Sequence, residues 1–281
     1  MSRTNAALPL LAALLATAPS PAAAWSAQGH RIVAAAADDR LTPAARRLVR
    51  EILGAVPMTD ARVAAWADAQ RDPATRAWHY VNIPHGAVAY DEARDCPRDA
   101  CAVAALARAA TELRDGDSAV ARADAFRWLV HLVADLHQPL HADGRDQGGT
   151  KLETRRAGAA ARPRSFHRVW DEDVLGPILR RRGAVEAGRA LARGVHREEA
   201  ARAGAELSPA AWANESHALA RALHAEVDRF PREGRNVLLP ADYAARQRAR
   251  AEAQLQKAGV RLAALLDRIS VAREARAGAR R

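Results

Sequence analysis

The sequence is short of cysteine, of lysine and of long apolar runs, and each shortage narrows what the chain can be. Cysteine occurs only at Cys96 and Cys101, inside DCPRDAC, so no second pair exists to complete a four-cysteine zinc site. Only Lys151 and Lys257 among the 43 basic residues are lysines. Arginine and alanine are high throughout, as a GC-rich genome would produce, which weakens the net charge of +10 as evidence for a polyanionic partner. Beyond Ala24 no segment is long and apolar enough to span a bilayer as a helix. No run alternates convincingly with period two, and no internal repeat or linker interrupts the pattern.

What is present begins with a leader. MSRTNAALPLLAALLATAPSPAAA has a positive Arg3, a short apolar stretch from Leu8 to Ala18, and an A-x-A site at Ala22–Ala24. Residues 1–24 therefore read as a signal peptide, and cleavage after Ala24 makes Trp25 the first residue of an exported chain, periplasmic or secreted. An exported chain meets an oxidising compartment, which favours a local disulfide between Cys96 and Cys101 over a zinc half-site.

Alanine and leucine in helical register predict an all-α fold, one domain over residues 25–272. Helices are expected near 29–39, 42–53, 60–69, 101–115, 119–137, 167–178, 184–201, 209–230 and 240–271. Asp60 and Ser208-Pro209 suit helix starts, and Gln138-Pro139 should end the fifth helix. Residues 70–100 and 142–166 look irregular, with at most a short hairpin around Thr150 to Thr154. Long loops in a compact helical domain are usually functional. Residues 273–281 read as a loose basic tail.

Four segments concentrate imidazole and carboxylate: WSAQGH (Trp25–His30), WADAQRDPATRAWHY (Trp66–Tyr80), HLVADLHQPLH (His131–His141) and FHRVWD (Phe166–Asp171). His131 and Asp135 stand four apart in an apolar helix, so both project from one face, and His167 and Asp171 repeat the spacing. One histidine on an apolar helix is ordinarily a hydrogen-bonded core residue. Together with His30, Asp68, His79 and His141, however, so many titratable groups would cost several kcal/mol per unpaired buried ion, roughly. Cations offset that cost. Nitrogen and oxygen donors in this number exceed what one ion uses and point to a polynuclear zinc site with hydrolytic chemistry.

WSAQGH, WADAQR, WHYVNIP, VHLVADLHQPLH, HRVWD and the later WANESHALA resemble, in this order, the secreted zinc-dependent single-strand nucleases of fungi, plants and bacteria. That family shares its trinuclear zinc fold with bacterial zinc phospholipase C, and the likeness extends to QLQKAGVRLAALL (Gln254–Leu266). DCPRDAC also resembles the family's short disulfide loop. The resemblance implies three Zn²⁺. Asp68, His79, His131 and Asp135 would hold the first. Trp25, through its α-amine and carbonyl oxygen, would hold the second with His30 and Asp135, whose carboxylate bridges the two. His141, His167 and Asp171 would hold the third. It further implies in-line hydrolysis of phosphodiesters, with Asp68 orienting the water, Arg71 stabilising charge at phosphorus and Tyr80 stacking a base. The implied substrates are single-stranded RNA and DNA and 3′-nucleotides, cut to 5′-mononucleotides by a monomer without stable membrane association.

Two alternatives stay open at this stage. A phospholipase C would use the same metals on phospholipid head groups; Asp171, where that branch carries glutamate, speaks for the nucleases. A non-catalytic zinc- or nucleic-acid-binding protein would have no need of Arg71. Two departures from the family pattern stand near the site: Thr150 in place of an asparagine after Gly148-Gly149, and Ser165-Phe166 in place of Asn-Leu before His167. His137, off the ligand face, is expected to be structural.

Overall fold

A computed structural model describes residues 25–158, 162–180 and 182–279; the expected leader lies outside the described residues. The chain opens with α1 (Ala27–Asp38) and α2 (Pro43–Leu53), the second capped by the Thr42 hydroxyl, which accepts from the Ala45 amide. α3 (Ala61–Ala64) starts at Asp60, as expected, and runs into a 3-10 turn over Trp66–Ala69. A 3-10 helix, Pro73–His79, then occupies part of the stretch expected to be irregular. After the one-turn α4 (Glu92–Asp95) come α5 (Ala102–Asp115) and α6 (Ala119–Asp135), which pack along one another. α6 stops just before Gln138, whose side chain accepts from the Leu140 amide while Pro139 begins a 3-10 turn to Ala142.

The helix expected over 167–178 is broken into α7 (Phe166–Asp171), a 3-10 turn (Asp173–Leu175) and α8 (Gly176–Leu179). Pro177 accounts for the break, having no amide to bond back into the preceding turn. The next stretch likewise divides into α9 (Ala184–Gly194) and α10 (Arg197–Ala205) around Val195 and His196. α11 (Pro209–Val227) begins at the Ser208 cap, and α12 (Tyr243–Arg246) precedes the long α13 (Arg248–Ala279). The loose tail expected after residue 272 is thus helical as far as Ala279. Arg273 ties it down by donating to the carbonyls of Leu113 and Arg114, and Arg276 pairs with Asp115.

The hairpin expected near Thr150–Thr154 proves to be half of a four-stranded sheet. β1 (Glu153–Arg156) pairs antiparallel with β2 (Arg164–Ser165) and parallel with β4 (Asn236–Leu239), with Thr154 opposite Val237; β3 (Arg232–Glu233) pairs antiparallel with β4. The order is β2-β1-β4-β3. Strands of two to four residues are too short to carry a readable alternation.

Close helix packing sets where the core lies. α1 packs between α9 and α13. At Gly188 of α9, a side-chain carbon would lie 2.3 Å from the Ile32 carbonyl oxygen, so only glycine permits the approach. α6 is buried continuously from Trp128 to Asp135. A polar residue on that stretch has no water to turn to, which commits His131 and Asp135 to partners inside the protein.

Candidate metal centre

On α6, His131 and Asp135 are fully buried one turn apart, with Nε2 3.2 Å from Oδ2. His79, at the end of its 3-10 helix, brings Nδ1 to 3.1 Å from both His131 Nε2 and Asp135 Oδ2. Asp68 Oδ1 lies 3.5 Å from His131 Nε2 and 4.0 Å from His79 Nδ1. From α1, His30 stacks on the His131 ring at 3.9 Å between centroids and sets Nε2 3.0 Å from Asp135 Oδ1. The ring nitrogen of His30 also falls within 4.8 Å of donors on Asp68 and His131. Asp135 is nearer, so Oδ1 addresses His30 while Oδ2 addresses His79 and His131.

A second cluster forms where α7 meets the turn after α6. Ser165 caps α7, accepting from the Arg168 amide, and the helix then presents His167 and Asp171 with Nε2 3.3 Å from Oδ2. His141 Nε2 stands 3.2 Å from His167 Nε2. Gln138 donates its amide to Asp171 Oδ1 at 2.7 Å. Gly148, in a left-handed conformation at φ +63°, turns its carbonyl onto His167 Nδ1 at 2.6 Å.

The histidine protons follow from these carbonyls. His141 Nδ1 donates to the His79 carbonyl at 2.6 Å, His167 Nδ1 to that of Gly148, and His131 Nδ1 to that of Ala64 at 3.2 Å. Each ring is thereby left with a lone pair on Nε2. Burial pushes the His141 imidazole down to about 3 and lowers His167, so both are neutral at ordinary pH. Their lone pairs then face each other across 3.2 Å, an arrangement that a cation between them would relieve. Two donors bound about 2.0–2.1 Å from a tetrahedral zinc are about 3.3 Å apart, so the spacing and the nitrogen and oxygen donor set both fit that ion.

The carboxylates agree. Burial acts to raise the Asp135 carboxyl, but the surrounding imidazoles of His131, His30 and His79 hold it well below the usual range. Asp171 goes the other way: burial drives it far up, the Gln138 amide only partly opposes this, and repulsion from Asp135 and Asp68 adds to it. It is a carboxylate in want of a counter-charge, which a divalent cation at His141 and His167 would provide.

Around these clusters the other expected residues take different places. Trp25 is fully buried against Trp170, with ring centroids 6.3 Å apart, and the next amide, of Ser26, donates to the Asp171 carbonyl at 3.0 Å. Arg71 and Tyr80 are exposed on the solvent side, beside the turn bearing Asp68 and next to His79 respectively. Cys96 and Cys101 form a disulfide, as expected. His137 is buried, donating to the Val133 carbonyl and accepting from Arg261, in keeping with a structural role. The departures at Thr150 and Ser165 are locally satisfied: the Thr150 hydroxyl donates to the Gln147 carbonyl, and Ser165 is the α7 cap.

Sequence reasoning missed Gln138, whose amide orients Asp171; its place between two ligand segments in HLVADLHQPLH was the available signal. It also missed Asp143, which accepts from His85 at 2.8 Å and faces His217 at 3.4 Å. These three come from separate segments with no helical spacing between them, and no sequence signal links them.

Residues 25–270, a span taking in both clusters, match the family model described as S1/P1 Nuclease. The chain is similar to Nuclease P1 of Penicillium citrinum, 31% identical over 156 residues that cover 52% of this chain and 57% of that protein. It is similar to Nuclease S1 of Aspergillus oryzae, 26% identical over 59% of this chain and 60% of the relative. Endonuclease 2 of Arabidopsis thaliana matches at 28% identity over 54% of this chain and 56% of its own length. The matches therefore span somewhat over half the length of these curated relatives. With the family pattern running through nearly all of the described chain, this protein belongs to the S1/P1 nuclease family.

Proposed function

We propose that the protein is an exported zinc-dependent nuclease that hydrolyses single-stranded RNA and DNA to 5′-mononucleotides and removes phosphate from 3′-nucleotides. The observation that carries this reading is the carboxylate of Asp135, one oxygen toward His30 and the other toward His79 and His131, as a ligand shared by two ions must be. In this reading Asp68, His79, His131 and Asp135 hold one zinc, and Trp25, His30 and Asp135 a second. His141, His167 and Asp171 hold a third. The α-amine of Trp25 suits the task, because an α-amino group with a pKa of roughly 7.7–8.0 loses its proton to zinc more readily than lysine does. A family match that begins at Trp25 supports processing at that residue.

Zinc bound in these sets supplies a nucleophilic water near neutral pH and neutralises charge on phosphate oxygens. The chain supplies the rest. The carboxylate of Asp68, partly open to solvent, orients the attacking water. Arg71 offers a planar fork of donors to the phosphoryl oxygens where charge builds. Tyr80, 36% exposed, presents a ring on which an unpaired base stacks. A base already stacked within a duplex cannot reach it, which accounts for single-strand preference without base-edge contacts. The protein acts as a monomer, periplasmic or secreted, with no stable membrane association; no described helix is long and apolar enough to cross a membrane.

The test is incubation of protein beginning at Trp25 with single-stranded DNA, duplex DNA and phosphatidylcholine, with and without chelator. Single strands should be degraded to 5′-phosphorylated products, duplex more slowly and lipid not at all, and chelator should stop the reaction. Cleavage indifferent to chelator, or lipid turnover with nucleic acid untouched, would overturn the proposal.

A further inference from the structure

Beside the accessible rim of the centre stands a cluster of tryptophan and arginine that the ligand sets do not use. Trp78, immediately before His79, packs its ring 5.0 Å from Trp128, which in turn lies 5.5 Å from the His79 ring. The guanidinium of Arg108, from α5, lies over Trp78 at 4.8 Å. Its Nη1 donates to the Asp99 carbonyl at 2.8 Å, so a ring face and a carbonyl together fix the group. Stacking of this kind leaves the outward N–H groups free while removing much of the side chain's freedom.

Arg76 adds a second cation. It lies on the 3-10 helix Pro73–His79, three residues before His79. Side chains three apart in a 3-10 helix eclipse one another, so Arg76 shares the His79 face about 6 Å along the axis. Both arginines are exposed, and neither forms an ion pair with any described carboxylate. The neighbouring Arg127, over Trp66, differs in being neutralised by Asp124 at 2.8 Å. Arg76 and Arg108 therefore stay uncompensated in the segments around Trp78, as do Arg98 in the disulfide loop and Arg71, assigned above to the scissile phosphate.

The disulfide loop braces this corner. Cys96–Cys101 closes the turn in which Arg98 and Asp99 take left-handed conformations, at φ 57° and 56°. That turn aims the Asp99 carbonyl at Arg108. The amide just after the disulfide, of Ala102, donates to the Tyr80 carbonyl at 2.9 Å. One covalent loop thus anchors both the backbone at Tyr80 and the stacked arginine.

We propose that Arg76 and Arg108, braced by the Cys96–Cys101 loop, bind backbone phosphates of a single-stranded substrate beyond the scissile one. This rests on the nuclease reading above. It makes the enzyme selective for chain length: an oligonucleotide engages the two arginines, whereas a dinucleoside monophosphate, with its single phosphate, does not.

The experiment compares wild type with Arg76→Ala/Arg108→Ala, both zinc-loaded. Affinity for a hydrolysis-resistant phosphorothioate oligothymidylate of about 12 nucleotides, a typical single-strand site size, is measured across a salt series. The double variant should bind roughly tenfold more weakly at low salt. The slope of log affinity against log salt should fall in magnitude by about 1.4, close to 0.7 for each single-strand phosphate that the variant no longer neutralises. KM for a cleavable oligomer should rise with kcat unchanged, and dinucleoside monophosphate hydrolysis should not change. An unaltered salt slope, or equal loss on both substrates, would overturn the proposal. Should replacing Arg108 disturb Trp78, Arg76→Ala alone still predicts a slope change of about 0.7, and Arg108→Lys should preserve the slope. Binding reads the phosphate pairing and cleavage reads the proposed activity: a protein that binds with the predicted slopes but cleaves neither substrate refutes the nuclease reading alone.

Discussion

Asp135 has no exposure to water, yet its carboxyl is held in the ionised form by three imidazoles from three different segments. Its oxygens cannot be satisfied in pairs: Oδ2 has two histidine nitrogens within 3.2 Å and Oδ1 has one at 3.0 Å. On the three-zinc assignment proposed above, replacement by alanine removes a ligand from both sets at once. Asp135→Ala is expected to retain one zinc of three by elemental analysis, at the His141–His167–Asp171 set, and to lose activity altogether. Stability should fall as well, because ligand loss in a buried site is loss of folding free energy. A variant that still carries three zinc ions would contradict the shared-ligand assignment.

The elements that deliver these residues are short, and their ends do much of the positioning. α7 is six residues long, far below the length at which a helix is stable alone, so the Ser165 cap and the Arg168–Glu172 pair one turn apart matter to it. Ser165→Ala should cost about 1 kcal/mol in urea denaturation and weaken zinc retention against a competing chelator, while Ser165→Asp restores the cap. α11 is tied to the loop after Ala142 in another way. Burial acts to lower the His217 imidazole, but Asp143 and the Ala87 carbonyl raise it above its ordinary value. That contribution is complete below the unfolded value of about 6.5 and disappears as pH rises through the elevated folded one. Melting measured from the acid side of neutrality upward should therefore show a stability loss in the wild type that His217→Gln lacks; identical pH profiles would remove His217 from the account. At this scale the sequence was readable where spacing of four coincided with an apolar helix, as at His131 with Asp135 and at His167 with Asp171. Asp60, Ser208-Pro209 and Gln138-Pro139 marked real ends for local chemical reasons. The β3–β4 hairpin escaped notice because two- and four-residue strands carry no period. The 3-10 geometry before His79 and the orienting role of Gln138 escaped because both depend on neighbours that meet only after folding.

Across the whole molecule, the two clusters join parts of the chain that are otherwise held by ordinary packing. One draws together α1, the turns around Asp68 and His79, and α6; the other fastens α7 to the turn beyond α6. Apolar contact among alanine-rich helices can form without metal, but the opposed lone pairs of His141 and His167 and the burial of the Asp171 carboxyl beside other acids remain as costs in the native state. Ions that bind the folded chain and not the unfolded one should therefore act as cross-links. Binding at a hundredfold excess over the dissociation constant is worth about 2.7 kcal/mol at each independent site. For a chain of this size that corresponds to roughly 5–10 °C in melting temperature for one site, since about 1 kcal/mol moves the midpoint by roughly 2–4 °C. Calorimetry in chelator should accordingly show a melting point lower by at least that amount, recovered stepwise on adding zinc and not on adding magnesium, which prefers all-oxygen ligands. A melting temperature indifferent to chelator would mean that packing alone positions these side chains, and that the buried donors meet no ion in the native protein.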